Sequence, residues 1–504
     1  MTDMIVETLL HSNDTQDQTR LFPFTKHQWQ SGGLPDRLTE FGIPQSRNIS
    51  PVYNGDNGES LLVFSQSGTR VVLIPLPEPL RFEKVQKAFK TLSHKRRSYF
   101  QGTAVLDLRH FADADIGLLS DAAISGLMLG SYETGLYKDP EKRPPHPLRG
   151  PEAKVGILTN ESAVPAATDG SQIGTATAST QLRIMELVNA PSNKKTPADL
   201  AQWAAASARQ FGYQAAAIGR DELEEMGMHA LLGVNRGSEH PACLIVTEYR
   251  PAQPINSQPV ALVGKGVTFD TGGLSIKPST NMHYMKSDMG GAAAVLGTME
   301  LAARLSLPVH LVGVVPATDN SVDALSIKPG DVLDSYSGKT IEVIDTDAEG
   351  RLILADALSW TVRKYNPEYL IDLATLTGSA IRTFGYACAA MMSNSDELAD
   401  SLFHSGMTTG ERVWRLPLWE DYAEEMVSDI ADVRNLSARP AAGAITAGKF
   451  LEHFIEGHTN WAHMDIAGVA FGESGLSRDK SSTGFGPRLL TNWLTQHFSA
   501  KKGG

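Results

Sequence analysis

The sequence predicts an α/β protein in which a smaller N-terminal α/β domain is joined by a linker helix to a larger C-terminal α/β/α domain with a mixed central sheet. Three observations lead to this fold class. At 504 residues the chain is too long for one core. Apolar strand-like runs alternate with helical patterns along it. A stretch rich in small residues, 161–180, separates the two regions of alternation.

The N-terminal domain is predicted to span residues 1–165. Its strand-like runs are SLLVF, VVLIPL, TAVLDL and AKVGIL, and its helical stretches are RFEKVQKAFKTL and AAISGLMLGSYETGLY. Residues 166–192 are predicted to form a linker and a connecting helix. We interpret ESAVPAATDGSQIGTATAST as the non-helical linker, which leads into the helix QLRIMELVN.

The C-terminal domain is predicted to span residues 193–504. A helix start is indicated by Thr196 as N-cap, Pro197 at the first helical position and Asp199 at the third. The strand-like runs that follow are ACLIVTEY, PVALVG, VHLVGVV, TIEVI, EYLIDLATL, ACAAMMS and AHMDIAGVA. Several are apolar on both faces, which favours a sheet covered by helices on each side, with chemistry at the strand ends.

Composition narrows the class of protein. The net charge of −12, from 45 basic and 57 acidic residues, argues against nucleic-acid binding as the main purpose. The only two cysteines, Cys243 and Cys388, indicate a reducing compartment without a disulfide framework. The first twenty residues lack the pattern of a signal peptide, and no apolar run approaches the roughly 20 residues of a membrane span. We therefore expect a cytoplasmic protein that has no membrane partner.

A row of charged residues follows the apolar run TIEVI. In DTDAEGRL, Asp345, Asp347, Glu349 and Arg351 occupy every second position. In an extended segment these side chains share one face, so three carboxylates would lie side by side with a guanidinium. Such carboxylates repel one another unless the face is open to water or a cation binds among them.

Two further segments carry possible ligands. VGKGVTFDTGGLSIKP is predicted to end a strand at Val263 and to present Lys265, Asp270 and Lys277 on a Gly-rich loop. A phosphate-binding loop is the alternative, but the spacing does not fit the P-loop motif. Asp288, in MHYMKSDMGGAAAVLG, precedes a helix and taken alone fits an N-cap better than a ligand. Together the carboxylates of the three segments suffice for two divalent metals.

These segments resemble the signatures of a known family. VGKGVTFDTGGLSIKP, MKSDMGGAAA and DTDAEGRL are similar to those of the leucyl aminopeptidases, also called cytosol aminopeptidases. The resemblance extends through LVNAPSN, VPATDN, ATLTG, GAITAGKFL and WAHMDIAG, and is only loose in the first domain. It implies a metal-dependent enzyme that releases N-terminal residues, leucine-like ones preferred, from peptide substrates.

The resemblance implies a ligand set for two divalent metals, Mn or Zn, with Mg also open. One metal would be held by Lys265, Asp270, Asp288 and Glu349, and the other by Asp270, Asp347 and Glu349. A lysine can ligate only as the neutral amine, and we expect burial and the two dications to lower its pKa.

The resemblance also implies a mechanism. Two cations lower the pKa of a shared water towards ~7, which supplies a hydroxide at neutral pH. Lys277 would stabilise the oxyanion of the tetrahedral intermediate, and Arg351 would hold a bicarbonate ion that acts as general base. The alternative for Arg351 is a salt bridge that neutralises the carboxylate row.

Substrate-binding residues are implied in the same way. Met285 would line the pocket for the first side chain, although an ordinary core methionine is the alternative. The cleft would also be lined by Thr375, Leu376, Thr377 and Gly378. The family usually has Asn at the position of Asp345, so fine specificity is open. His453, His458 and His463 are interpreted as structural.

Several alternatives stay open at this point. The chain could be a relative that prefers cysteinyl-glycine or another dipeptide, a member with an additional DNA-binding role, or a relative without activity. The last is disfavoured because every ligand position retains a competent residue. A homohexamer is implied by family analogy alone.

Overall fold

The computed structural model describes residues 4–11, 18–30, 39, 43, 59–142, 145–150 and 152–500. The chain divides into two compact units, Met1–Leu182 and Arg183–Gly504. The division falls inside the helix Val164–Asn189, which covers most of the segment predicted to connect the two domains.

The first unit contains a six-stranded sheet. Its strands are β1 Ile5–Leu9, β2 Gln18–Thr25, β3 Leu61–Phe64, β4 Arg70–Leu76, β5 Thr103–Asp107 and β6 Lys154–Leu158, in the order β1-β6-β5-β2-β4-β3. The pairings are parallel except that β3 runs antiparallel to β4 at the edge. The helices before the connecting helix whose bounds lie within the described residues are Lys26–Gln30, Phe82–Lys95 and Asp113–Gly130. All four predicted strand runs are confirmed.

The prediction of a non-helical linker over 161–180 is wrong, because the helix Val164–Asn189 begins within it and runs for 26 residues. The small residues serve close helix packing instead of flexibility. A Cβ at Gly170 would lie 2.2 Å from the carbonyl oxygen of Gly117, and one at Gly174 would lie 2.7 Å from that of Asp121. The composition therefore reflects contact with the helix Asp113–Gly130.

The second unit is built on a nine-stranded mixed sheet. Eight strands follow the order β16-β15-β18-β14-β9-β11-β8-β7, and β10 pairs with β11. The strands are β7 Gln214–Ile218, β8 Cys243–Tyr249, β9 Val260–Gly264, β10 Gly266–Asp270, β11 Leu311–Asn320, β14 Tyr369–Ala374, β15 Ala389–Ser393, β16 Val413–Arg415 and β18 Trp461–Asp465. The predicted mixed sheet is thus confirmed.

Helices cover both faces of this sheet. Along β9, Val260 and Leu262 belong to one hydrophobic cluster, whereas Ala261 and Val263 belong to another. Because successive side chains of a strand point to opposite faces, the sheet is buried on both sides. The α-helices of the unit after the connecting helix are Pro197–Phe211, Arg220–Met226, His229–Asn235, Gly290–Arg304, Glu349–Tyr365, Gly378–Phe384, Asp396–Thr409, Gly443–Glu452 and Pro487–Ala500.

Local signals specify some elements and fail for others. Thr196 caps the helix Pro197–Phe211 in a capping box with Asp199, as predicted. TIEVI forms only a three-residue strand, β13 Thr340–Glu342, which pairs with β12 Val332–Asp334 and β17 Val433–Arg434 in a separate small sheet. A fourth sheet joins β19 Phe471–Gly472 to β20 Ser481–Ser482. None of the described helices is long and apolar enough to cross a membrane.

Candidate metal centre

The candidate site lies at the carboxyl ends of the central strands of the nine-stranded sheet. Strands β9, β11, β14 and β18 are mutually parallel, so their carboxyl ends lie together. Lys265 directly follows β9, Asp270 ends β10, and Thr375 directly follows β14. The sheet therefore brings together residues that are about a hundred positions apart in the chain.

The charged row DTDAEGRL does not form one extended face, and that prediction is wrong. Residues 345–348 form a turn in which the backbone N–H of Asp347 donates to Asp345 Oδ1 at 2.8 Å. Glu349 then begins the helix Glu349–Tyr365, which also carries Arg351. An aspartate two residues before a backbone donor closes such a turn easily, and this local hydrogen bond ends the extended conformation.

Three carboxylates nevertheless converge. Asp270, Asp347 and Glu349 each offer one oxygen, and these oxygens lie within 4.8 Å of one another. Asp270 and Glu349 are buried, and Asp347 is half-buried. Asp288 is held beside this group through Lys265, whose Nζ lies 2.7 Å from Asp288 Oδ2 and 2.8 Å from Glu349 Oε1. All five predicted ligands are thus brought into one cluster.

Asp288 does not cap a helix. The helix Gly290–Arg304 has Met289 at its N-cap position, without a side-chain capping bond. The Asp288 carboxylate instead accepts from Thr375 Oγ1 at 2.7 Å and pairs with Lys265. The N-cap reading, which relied on chain position alone, is therefore wrong.

Lys277 is the second ammonium group of the cluster. Its Nζ lies 2.6 Å from Asp270 Oδ2 and 2.5 Å from Asp347 Oδ1. The backbone N–H of Lys277 donates to the carbonyl of Thr271 at 2.9 Å, which anchors the loop after β10. Lys277 therefore faces the carboxylates from the side of that loop, whereas Lys265 faces them from the end of β9.

The pKa values of the carboxylates reflect burial and mutual repulsion. Burial, together with the charges of Glu349 and Asp288, raises the pKa of Asp270 well above its ordinary value. Burial raises the pKa of Asp288 to about 7, although Lys265 opposes the change. Burial also raises the pKa of Asp347. For Glu349 the two lysines outweigh burial, and its pKa is lowered. The two lysines offset only part of the burial and repulsion, since three of the four carboxylates keep a raised pKa, and such a cluster is suited to hold further cations.

The expected lowering of the Lys265 pKa is not produced by the protein groups. Burial alone would lower it, but Asp288, Glu349 and Asp270 outweigh burial and raise the pKa of Lys265 above its ordinary value. The same balance of burial against carboxylates raises the pKa of Lys277. Lys265 is therefore an ammonium ion among these carboxylates, and ligation of a metal by its nitrogen requires loss of a proton.

The sequence analysis did not identify two residues, Thr375 and Asn320, as hydrogen-bonding partners of the charged cluster. The backbone carbonyl of Thr375 accepts from Lys265 Nζ at 3.0 Å, so this residue touches both Lys265 and Asp288. Asn320, at the end of β11, donates through Nδ2 to Asp270 Oδ1 at 2.8 Å and to the carbonyl of Thr346 at 3.0 Å. Its position at the end of the predicted strand in VPATDN was the available signal.

Two glycines make room for the charged side chains. A Cβ at Gly350 would lie 2.5 Å from Lys265 Cε and 2.7 Å from its Nζ. Gly272 has φ of +88°, and a Cβ there would lie 2.8 Å from Asp347 Oδ1. Only glycine permits the close approach at the first position, and the second also requires a backbone conformation that glycine favours.

Arg351 is buried behind the cluster. Its Nη1 donates to the backbone carbonyl of Asn435 at 2.8 Å, and its Nε has no hydrogen-bond partner among the described residues. Burial lowers its pKa to about 10, despite the charges of Glu349, Asp465 and Asp345. Arg351 forms no ion pair within the described part of the chain, so the structure gives no support to the salt-bridge alternative.

A cleft of about 620 Å³ opens onto the cluster. The predicted substrate-binding residues Met285, Thr375, Leu376, Thr377 and Gly378 all line it, and Arg351 is not among the lining residues. Met285 is half-buried in the cleft wall and is not part of the hydrophobic core. Lining residues that sequence reasoning missed include Tyr284, Ile381, Arg382, Tyr386, Phe471 and Lys480.

The three histidines lie outside this cleft lining. His463 is buried, with Nδ1 2.5 Å from Asp372 Oδ1, and His458 Nε2 lies 2.8 Å from the carbonyl of Pro367. His453 is the C-cap residue of the helix Gly443–Glu452. These contacts agree with the structural interpretation.

Comparison with known proteins decides the family. Residues 183–491 match the sequence profile of the catalytic domain of the cytosol aminopeptidase family. The chain belongs to the cytosol aminopeptidase family. The resemblance found in the motifs is thus confirmed, and the protein is a metal-dependent aminopeptidase, a peptidase of the hydrolase class.

Relatives support the assignment over nearly the whole chain. A "Probable cytosol aminopeptidase" of Chlorobium limicola is 43% identical over 455 residues, 88% of this chain and 90% of the relative. One of Geobacter sp. is 44% identical and covers 80% of this chain and 83% of the relative.

Two solved structures share the α/β fold. The crystal structure of the cytosol aminopeptidase from Coxiella burnetii matches with a TM-score of 0.80 and 30% identity, covering 98% of this chain and 99% of that one. The bottromycin maturation enzyme BotP in complex with Mn matches with a TM-score of 0.79 and 28% identity, covering 96% and 100%.

The residues present fit a metal of the kind this family uses. Carboxylate oxygens are ligands for Mn, Mg and Zn. Glu349 Oε2 is buried and has no hydrogen-bond partner among the described residues. A buried carboxylate oxygen without a donor is costly, and a cation would satisfy it.

Proposed function

We propose that this cytosol aminopeptidase removes N-terminal residues, leucine-like ones preferred, by means of two divalent metal ions held in the carboxylate cluster. The observation that carries the proposal is the convergence of Asp270, Asp347 and Glu349 at the floor of an open cleft, beside Asp288 and Lys265. The proposed ligands are Lys265, Asp270, Asp288 and Glu349 for one ion and Asp270, Asp347 and Glu349 for the other.

When bound, two divalent ions would lower the pKa of a water towards ~7 and polarise the scissile carbonyl. The chain would contribute the remaining interactions. Lys277, half-buried at the cleft floor, is a permanent cation with its pKa raised by Asp270 and the neighbouring carboxylates against the effect of burial. We assign it the stabilisation of the oxyanion that develops during attack on the peptide carbonyl.

Two walls of the cleft would orient the peptide. Met285 lies on the 3₁₀-helix Met282–Ser287. Thr375, Leu376 and Thr377 form the loop after β14, and Gly378 begins the next helix. We assign Met285 to the pocket for the first side chain. Leu376, Thr377 and Gly378 would border the backbone of the substrate. A half-buried thioether suits a leucine-like side chain because it is apolar and adaptable.

Arg351 is proposed to hold a bicarbonate ion that acts as general base. Its buried guanidinium has an unpartnered Nε and forms no ion pair in the described residues. A planar guanidinium fork is complementary to a planar oxyanion, which supports the assignment. Arg351 does not line the cleft in this structure, so this assignment depends on the chemistry of the guanidinium and not on the cleft lining.

Three further properties are inferred from the relatives. Mn is proposed as a native metal because BotP is described in complex with Mn. Zn remains a second choice because the ligand types admit it. A cytoplasmic location is proposed because the relatives are described as probable cytosol aminopeptidases. A homohexamer is proposed by family analogy alone.

The proposal is tested by hydrolysis of leucine p-nitroanilide. The full-length protein is treated with a chelator and assayed, then assayed again after addition of Mn or of Zn. We expect activity to disappear and to return with metal, and Glu349→Gln to lower kcat by at least about a thousandfold. Glu397→Gln, an exposed carboxylate at the start of the helix Asp396–Thr409, is the matched control. Full activity of the chelated protein or of Glu349→Gln would overturn the proposal.

A further inference from the structure

Four side-chain cations of the described residues line the cleft, and they fall into two pairs. Lys265 and Lys277 are ion-paired with the carboxylate cluster. Lys480 and Arg382 line the same cleft but form no ion pair with any carboxylate of the described residues. Among the described residues, the acidic side chains of the cleft lining are Asp270, Asp288, Asp347 and Glu349, and all four are proposed metal ligands. The second pair of cations therefore has no counter-charge in the lining.

Lys480 is held in place by aromatic side chains. Its Nζ donates to Tyr386 Oη at 2.6 Å and lies 4.7 Å from the centre of that ring. It also lies 5.7 Å from the ring centre of Tyr284, which packs against Phe471. These contacts orient an ammonium group without neutralising it, because ring faces attract a cation but carry no net charge. Lys480 therefore retains donors for an anion.

Arg382 is the second cleft cation without an ion pair in the described residues. It belongs to the short helix Gly378–Phe384, is exposed, and donates through Nη2 to Ser379 Oγ at 3.1 Å. A hydroxyl leaves the charge of a guanidinium uncompensated. Lys480 and Arg382 thus come from the loop before β20 and from the helix Gly378–Phe384, whereas the carboxylates come from β10, the end of the 3₁₀-helix Met282–Ser287, the turn at 345–348 and the start of the following helix.

We propose that Lys480, assisted by Arg382, binds a carboxylate group of the substrate and gives the enzyme a preference for short peptides that carry one near the scissile bond. The inference rests on the proposed function, because an enzyme that removes N-terminal residues must hold the free amino group of the peptide close to the reacting carbonyl and thus beside the carboxylate cluster. A short peptide is a zwitterion, so its negative end then falls in the part of the cleft that holds unpaired cations. The carboxylate can be the C-terminus of a dipeptide or the side chain of an acidic second residue.

The test compares kcat/KM for pairs of substrates that differ by one charge. Leu-Gly against Leu-Gly amide reports the C-terminal carboxylate, and Leu-Glu amide against Leu-Gln amide reports the side chain. The full-length, Mn-loaded protein should prefer the charged member of at least one pair. In Lys480→Gln that preference should fall about tenfold, because a charge-assisted hydrogen bond is lost. Lys480→Arg should retain most of it.

Arg478→Gln is the matched control. Arg478 lies two residues away in the same loop, carries the same charge, is exposed and does not line the cleft. Arg478→Gln should leave the ratio of kcat/KM values unchanged in both substrate pairs, because a screened charge outside the cleft does not distinguish the two members of a pair. Equal ratios in the wild type, Lys480→Gln and Arg478→Gln would overturn the inference.

The two proposals fail in different ways. Hydrolysis of leucine p-nitroanilide with no preference in either substrate pair overturns only the carboxylate site. Absence of hydrolysis of every substrate by the metal-loaded wild type overturns the proposed function and this inference with it. A fall of both ratios to the same extent in Arg478→Gln as in Lys480→Gln assigns the effect to net charge and also overturns the site.

Discussion

Lys265 Nζ lies 2.8 Å from Glu349 Oε1, with both side chains almost completely buried. The pair joins the end of a central strand to the first turn of the helix Glu349–Tyr365. Because the carboxylates keep Lys265 protonated, ligation of a metal by its nitrogen, as proposed, would be coupled to release of a proton.

The first prediction concerns this coupling. Binding of Mn to the chelator-treated protein should release about one proton or more, because the lysine nitrogen must become neutral and Asp288, with its pKa raised to about 7, must be ionised. Affinity should therefore increase with pH, by roughly tenfold per pH unit for one released proton. Calorimetric titration in two buffers of different ionisation enthalpy measures the proton number. Identical heats in both buffers would contradict the prediction.

A second prediction concerns Asp345. Its Oδ1 accepts the N–H of Asp347, and its charge contributes to raising the pKa of Asp347. Asp345→Asn retains an acceptor oxygen for the turn but removes a negative charge near the cluster. The dissociation constant for Mn should rise roughly threefold or more at low ionic strength and less at high salt. Metal titrations measure it.

Asp429→Asn serves as the control for Asp345→Asn. Asp429 is exposed and outside the cleft, so the substitution changes net charge by the same amount without affecting the turn. An equal loss of affinity in both variants would show that the turn position of Asp345 has no special effect.

The third prediction concerns the loop that borders the substrate. Thr377 Oγ1 donates to Asp465 Oδ2 at 2.6 Å and accepts from the backbone N–H of Ala380 at 3.1 Å. Thr377→Val removes both bonds and should cost about 1–2 kcal/mol of stability, since an N-cap is lost and a buried carboxylate loses a donor. Because Asp465 also holds the N–H of Leu376, KM should rise more than kcat falls.

Denaturation midpoints and steady-state kinetics test the loop prediction. Thr383→Val, an exposed position of the same short helix, should change neither property appreciably. An unchanged KM in a destabilised Thr377→Val would limit Thr377 to a role in stability.

The fourth prediction concerns the buried pair of His463 and Asp372. Asp372 accepts from Trp461 Nε1 at 2.8 Å and lies 2.5 Å from His463 Nδ1. Burial alone would lower the pKa of His463, but Asp372 outweighs it and the pKa is raised. The pair therefore stabilises the folded state fully below about pH 6.5, the ordinary histidine value, and loses this contribution as the pH rises through the raised pKa.

Asp372→Asn should remove this pH dependence and lower the free energy of unfolding by about 3 kcal/mol, since one partner of a buried pair is lost. Denaturation midpoints at pH 6 and pH 8 measure both effects. Two results would contradict the assignment. One is a wild-type protein that is more stable at pH 8 than at pH 6 by an amount that Asp372→Asn abolishes. The other is a variant whose stability changes between the two pH values as much as that of the wild type.

The residues of the candidate site were easier to predict from the sequence than some of the helices of the fold. Asp270, Asp288, Asp347 and Glu349 stand out because carboxylates interrupt apolar or Gly-rich segments at strand ends, and this is a local property of the sequence. The small-residue segment 161–180 misled the helix assignment because its glycines serve contacts with another helix. Such contacts leave no periodic pattern of large apolar residues.

The sequence by itself determined the α/β class, the capping box at Thr196, the segments that carry the candidate ligands and the family. Only the tertiary structure decided that Lys265 lies between Asp288 and Glu349, that DTDAEGRL turns into a helix, and that Lys480 meets Tyr386 across 94 positions of the chain. The physical reason is that composition and periodicity report on neighbours along the chain. The charge state of a buried lysine and the partners of a cleft cation depend instead on which strand ends and loops the sheet brings together.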